Sequence, residues 1–166
     1  MPALNGTRLA TSGKLWLGET ALEGKTILLH AEQGFGDALQ FVRYVPLVAA
    51  RGARVVLRLP SALVELIRGM PGIAQIIAED EPLPAHDLHC PLMSLPLAFG
   101  TTLETIPADT PYLRADPSRV AAWKERLGPA SRPRIGLVWA GRQDQPISKG
   151  RDTTLQQLMP LFDLDA

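Results

Sequence analysis

Residues 33–40, Gln-Gly-Phe-Gly-Asp-Ala-Leu-Gln, set two glycines and a carboxylate close together. Without a Cβ, Gly34 and Gly36 permit backbone conformations and a close ligand approach that other residues block. Asp37 has two readings. As a helix N-cap with Gln40 three residues on, it forms a capping box worth about 1 kcal/mol. As a carboxylate at a crevice mouth, it is a general base for an acceptor hydroxyl, a role that supplies roughly 10²- to 10⁴-fold in rate. Glu32 brings a second carboxylate to the same edge, either as an orienting partner or as a solvated charge, with Gln33 beside it. A dinucleotide fingerprint is poorly met. Leu39 stands where its third glycine would fall, and the Arg58-Leu59-Pro60 stretch carries no acid to hold a ribose.

Two further groups offer chemistry. Residues 86–90, His-Asp-Leu-His-Cys, combine imidazole, carboxylate and thiolate, the donor types of a transition-metal site. On a strand, however, Asp87 and His89 face one way while Leu88 and Cys90 face the other, and no second ligand cluster exists in the chain. The expectation is therefore no metal, a buried Cys90, and His89 turned toward the crevice. His30 reads as a hydrogen-bonded core residue. Residues 139–151 contain Gly141, Ser148, Lys149 and Arg151. They are either a flexible cradle with cationic donors for a phosphate or an exposed loop of solvated charges.

The elements that must position these groups alternate. Residues 25–32 form a short apolar run ended by Gly34 and Gly36, which predicts a strand buried on both faces. Leu39, Val42, Val45 and Ala49 then recur at helical spacing up to Gly52, with Pro46 predicting a bend. Residues 54–59 read as a second strand, 61–67 as a short helix, 73–78 as a third strand and 87–90 as a fourth. Residues 118–127 read as a helix with Val120, Trp123 and Leu127 on one face, residues 128–133 as a linker, and residues 134–139 as a new strand followed by a helix over 153–162. This alternation predicts an α/β fold, a Rossmann-like parallel sheet with helices on both faces, whose ligand crevice opens at the carboxyl ends of the strands. The late strand either completes that sheet or opens a second α/β domain.

Composition narrows the partners. The chain has 166 residues, 17 Lys and Arg against 17 Asp and Glu, and one cysteine. Zero net charge removes the electrostatic footprint of a nucleic-acid binder. A lone Cys90 allows no internal disulfide, which fits a reducing, cytoplasmic setting. No apolar stretch is long enough to span a membrane.

Three ordered runs together carry a family resemblance: residues 29–44 (Leu-His-Ala-Glu-Gln-Gly-Phe-Gly-Asp-Ala-Leu-Gln-Phe-Val-Arg-Tyr), 87–96 (Asp-Leu-His-Cys-Pro-Leu-Met-Ser-Leu-Pro) and 134–141 (Arg-Ile-Gly-Leu-Val-Trp-Ala-Gly). They resemble the glycosyltransferase-like region that follows tetratricopeptide repeats in many bacterial proteins, itself similar to the heptosyltransferases of glycosyltransferase family 9. The resemblance covers nearly the whole chain from Trp16. It implies a GT-B architecture, with an acceptor-side and a donor-side Rossmann-like domain facing each other across a cleft. It also implies Asp37 as catalytic base, Glu32, Gln33, Gly34, Gly36 and His89 around the acceptor, and Gly141, Ser148, Lys149 and Arg151 at the donor phosphates. A nucleotide sugar would be the co-substrate, with no permanently bound cofactor or metal, and a hydroxyl-bearing molecule the acceptor. After Trp139-Ala-Gly the chain departs from the family, carrying Arg142-Gln-Asp-Gln-Pro146 where relatives carry an Asn-Pro pair and a His-rich stretch.

The implied organisation is a poorly ordered or linker N-terminus at 1–15, an acceptor-side domain at 16–128, a linker at 129–133 and the start of a truncated donor-side domain at 134–166. Such a chain needs the remainder of its GT-B fold, or a partner covering the cleft, to catalyse transfer. The other expectations to set beside it are a non-catalytic transferase-like binding or assembly module and a small self-contained phosphate- or nucleotide-binding α/β protein.

Overall fold

Five short strands, all parallel, make a sheet in the order β1-β5-β2-β3-β4: β1 (Lys14–Leu15), β2 (Thr26–His30), β3 (Arg54–Leu59), β4 (Ile73–Ala78) and β5 (Leu88–Pro91). The computed structural model describes residues 10–140 and 153–163. The chain divides into two compact units, Met1–Asp116 and Pro117–Ala166.

In the first unit the apolar runs of the sequence become the central strands. Ile27, Leu28 and Leu29 of β2 and Val55, Val56 and Leu57 of β3 are almost wholly buried. Because side chains alternate along a strand, these runs serve two faces. Ile27, Leu29, Val55, Leu57, Leu88 and Cys90 belong to the large core cluster. Leu28, Val56 and Ile77 form a second, small one.

The helices of this unit are α1 (Phe35–Phe41), α2 (Val45–Ala50), α3 (Ser61–Ile67) and α4 (Leu95–Ala98). Their buried residues, among them Ala38, Val48, Ile67 and Leu95, all join the large cluster. The Rossmann-like α/β arrangement is thus present, and among the described residues of this unit the second face receives Leu83 from a loop. The cause is local. The connection from β4 to β5 carries Pro82 and Pro84, each lacking an N–H and with φ fixed, so no helix forms there.

Pro46 acts as its position predicts. The helical stretch after β2 breaks into α1, a 3₁₀ turn at Val42–Tyr44, and α2, with Pro46 in the first turn of α2, where its missing donor costs nothing. The N-terminal segment expected as a linker contributes β1, whose Lys14 and Leu15 pair with Leu88 and His89, while residues 1–9 lie outside the described residues. Trp16 follows, fully buried, with its indole N–H donating to the Thr20 carbonyl (2.9 Å) and its ring edge-on to Phe99.

The second unit holds α5 (Pro117–Leu127) and α6 (Leu155–Leu158), which a 3₁₀ turn at Met159–Asp163 extends. The Arg134 guanidinium donates to the carbonyls of Leu127 (2.6 Å), Gly128 (3.1 Å) and Pro129 (3.0 Å), closing the C-terminal end of α5. Thr154 caps α6, accepting from the Gln157 N–H at 3.2 Å. Residues 134–139 do not form the predicted strand, and the sheet of the first unit does not include them. Their apolar content favours a strand only if a neighbour takes the ladder hydrogen bonds, and among the described residues none does. Ile135 and Val138 remain 73% and 93% exposed.

Gly18 is the glycine the fold depends on most directly. Its φ is +108°, and a Cβ there would collide with the Ala98 carbonyl oxygen, a backbone atom that cannot step aside. Gly18→Ala is expected to lower stability by about 2 kcal/mol or more, while Gly69→Ala, with nothing near its Cβ position, stays within about 0.5 kcal/mol. Urea midpoints of the two variants measure the contrast.

Candidate functional site

Strand order reverses between β2 and β5, both paired in parallel, so the loops leaving their carboxyl ends part from each other and open a crevice. The β2 loop leads into α1. The β5 end leads into a 3₁₀ turn at Leu92–Ser94, which touches α1.

Asp37 stands in the first turn of α1, but not as the N-cap. Gly34 holds that position, and Asp37 is the third helical residue, its Oδ2 accepting from the Gly34 N–H at 3.1 Å. The carboxylate therefore ties down an orphan donor of the helix start from the far end of the box. The glycine expectation also changes. Gly34 has an extended backbone (φ −68°, ψ 168°) and Gly36 has no positive φ, so neither needs to be glycine for conformation. What remains is space: a Cβ on Gly36 would meet nothing within 4 Å. Gln33 and Glu32 are exposed on the same loop. Partial loss of water nonetheless holds the Glu32 carboxyl above the ordinary glutamate value, with the Met93 backbone N–H pulling the other way.

His89 falls in a different group. It lies in register with Leu28 on the face opposite the large core, and its ring stacks on His30 with centroids 5.7 Å apart and planes 25° from parallel. His89 Nδ1 and His30 Nε2 are 3.4 Å apart. His30 is buried, as a core histidine should be, and burial first, then the positive charges of His89 and Arg58, push its pKa down to about 4. Arg58, directly opposite His30 in the β2–β3 ladder, is the member that sequence reading missed. Its signal was parity: it interrupts an otherwise apolar strand at the position that shares a face with Val56.

The side chains of the His-Asp-Leu-His-Cys run have other partners. His86 bonds the Pro84 carbonyl through Nδ1 (2.8 Å) and Thr11 Oγ1 through Nε2, and Asp87 Oδ2 accepts from the Thr26 N–H at 2.8 Å. Burial, with Glu32 and Glu19 adding to it, pushes the Cys90 thiol up to about 12, so it stays protonated at neutral pH. Among the described residues no three His, Cys, Asp or Glu side chains gather for a metal. Among them, too, no helix is long and apolar enough to cross a membrane.

Two concavities lie elsewhere, along the strap that follows α4. One, of about 380 Å³, runs between Leu47, Leu66, Met70 and Tyr112; the other, of about 440 Å³, lies between Phe41, Pro96 and Leu103. Arg43 lines both, donating to the Pro107 carbonyl at 2.8 Å beneath the Tyr112 ring. Neither contains Asp37, Glu32 or His89; the first is lined by one carboxylate, Asp109, and the second by none, whereas the switch-point crevice brings Glu32 and Asp37 to one edge. Gly141, Ser148, Lys149 and Arg151 lie outside the described residues; the flanks of their loop meet where the Thr153 N–H donates to the Trp139 carbonyl at 2.9 Å.

No protein-family model matches the chain, and no solved structure matches it significantly. Protein FlbA of Caulobacter vibrioides is 29% identical to it over 160 residues, which cover 83% of this chain and 26% of that protein. The chain thus spans about a quarter of the length of that relative.

Two outcomes follow from this geometry. Between the ordinary histidine value of 6.5 and about 4, the unfolded chain binds a proton that folded His30 refuses. Stability should therefore be full above about pH 6.5 and fall as pH drops toward 4, by up to about 3 kcal/mol, a slope that His30→Leu flattens in urea titrations at several pH values. Gly36→Ala should hold or raise stability by about 0.5 kcal/mol, since the new methyl enters open space on a helix. Ligand binding weakened in that variant would then report obstruction at the crevice, not unfolding.

Proposed function

We propose that this chain is the acceptor-side half of a GT-B glycosyltransferase, working in the cytoplasm on a nucleotide-sugar donor and a hydroxyl-bearing acceptor. The observation that carries the reading is the placement of Asp37 at the start of the helix that follows β2, beside the switch point, with one carboxylate oxygen held by the Gly34 N–H. Asp37 takes the acceptor proton, the acceptor oxygen bonds to the anomeric carbon, and the bond from that carbon to the nucleotide diphosphate breaks. In this reading Lys149 and Arg151 neutralise the departing phosphates, and the Gly141 N–H and the Ser148 hydroxyl hydrogen-bond to them. The raised Glu32 carboxyl, with Gln33, Gly34 and Gly36, shapes the acceptor wall, and His89, on the opposite face of the sheet, takes no part in it.

One wall of a cleft cannot align two substrates, and alignment supplies much of the rate. The chain on its own is therefore expected to transfer no sugar. A protein that joins it to a donor-side domain should do so, losing about 10²-fold or more on Asp37→Asn. Asparagine keeps an acceptor oxygen for the Gly34 N–H, so the helix start survives while the base is removed. Undiminished transfer by this variant, measured as release of nucleotide diphosphate, would overturn the base assignment.

A second reading is favoured by one observation. In the second unit Trp123, Val138 and Phe162 are 55%, 93% and 63% exposed, large apolar side chains of the kind that association covers. A non-catalytic module that assembles through this surface would show concentration-dependent association by sedimentation, weakened by Trp123→Ser. A monomer at every concentration would count against it.

A further inference from the structure

The geometry points to an oxyanion site on the loop-covered face of the sheet, formed by His30, Arg58 and His89 and suited to a phosphate group. It stands apart from Asp37 and does not depend on the transferase reading.

The three side chains are brought together by register. His30 ends β2, and Arg58 lies opposite it on β3. His89 sits on β5, its ring stacked on that of His30. In a parallel ladder, directly paired residues point to the same face, so a guanidinium and two imidazoles share one end of that face. Arg58 donates through one terminal nitrogen to the Glu79 carbonyl, while its Nε is buried and, among the described residues, has no hydrogen-bond partner. A planar fork with an unused inner donor matches two oxygens of a phosphate.

The charges around His30 do not cancel it. Every charged neighbour felt by His30 is basic: His89, Arg58 and His86. The loop after β4 brings Glu79, Asp80, Glu81, His86 and Asp87 near this face, but its acids are directed elsewhere. Asp80 accepts from Ser61 at 3.2 Å, Asp87 from the Thr26 N–H, and Glu81 acts on Arg68. Glu79 meets Arg58 through its backbone carbonyl. On the strands themselves, β3 adds Arg54, β1 adds Lys14, and β4 adds no charge.

The imidazole pair makes the site responsive to protons. With a single hydrogen bond between the rings, one nitrogen donates and the other accepts, so the neutral pair carries no excess charge. A further proton adds a cation beside Arg58, which is unfavourable until an anion arrives. Anion binding and proton uptake are therefore linked, each strengthening the other.

The test is a titration of the 166-residue chain with inorganic phosphate, following the three histidine rings by NMR. The expected result is saturable binding that tightens about threefold between about pH 6 and about pH 4.5, with the pKa of His30 rising from about 4 by about one unit. His86, held by Pro84 and Thr11, should not move and serves as the internal control. Arg58→Gln should weaken binding about tenfold or more, and Arg58→Lys less. If Arg58→Gln fails to fold, His89→Gln, at a half-buried position, tests the same site by removing the pH dependence. A hexose phosphate run in parallel distinguishes the sources. Tighter binding of the ester means a phosphate carried on a larger ligand, and equal binding means the free ion. Absence of saturation up to about 10 mM phosphate, or equal shifts of all three histidines, would overturn the site.

Discussion

Strand β2 is the constraint on which the rest depends. It is hydrogen-bonded along both edges, to β3 and to β5, and its residues 27–30 are buried on both faces. A strand so placed tolerates neither an unpaired backbone group nor a one-residue slip, which would exchange Ile27 and Leu29 for Leu28 and His30 on the large core face. Both ends are closed by specific bonds: Asp87 accepts from the Thr26 N–H, and the Arg58 carbonyl accepts from the Ala31 N–H at 3.0 Å. The carboxylate that looked like a metal ligand is thus the clamp that starts the central strand.

With β2 fixed, the switch point follows. The chain runs outward from β2 through α1 and α2 to β3, through α3 to β4, and then returns past β2 to lay β5 on its other edge. The return is made by a proline-containing loop rather than a helix, so the two faces differ. One carries the large core and four helices. Among the described residues of this unit the other carries three buried strand residues and Leu83, with His30, Arg58 and His89 toward one end.

The sequence was readable wherever the determinant was local. Strands β3 and β4 appear at their expected bounds because each is a short apolar run between turn residues, and Pro46 breaks its helix where its chemistry requires. The start of α1 was misread because Asp37 suits both the N-cap and the third helical position, and only the backbone decides between them. Residues 134–139 were overread, since β propensity describes a fit to a neighbour and supplies none. Lys14 and Leu15 were underread for the converse reason: two residues carry no period, yet the free edge of β5 gave them a ladder. The contact of His30 with His89, 59 positions away, was beyond local reading because it depends on which strand fills the second edge of β2. Asp37, Glu32 and Gly36 stand out by type and spacing; Arg58 does not, because a single arginine in a strand looks like any solvated charge.

Alternation along the strands also sorts the chemistry by sign. Glu32 bonds toward Met93 and adds its negative charge to Cys90, on the helix-covered side, where α1 also carries Asp37. His30, Arg58 and His89 share the other side. Had the acids and bases met, each carboxylate would have been fixed in an ion pair, too weak a base to take a proton, and each cation would have lost its capacity for an external anion. Across a layer spacing of about 10 Å and an effective dielectric of about 20, unit charges interact by roughly 1.7 kcal/mol, against about 4 kcal/mol at 4 Å. That difference approaches two powers of ten in an equilibrium constant, enough for the two faces of one thin sheet edge to keep separate protonation behaviour. A one-residue slip of β5 would bring Cys90 beside His30 and turn His89 toward Glu32, so the register that builds the core also keeps the acidic and basic groups apart.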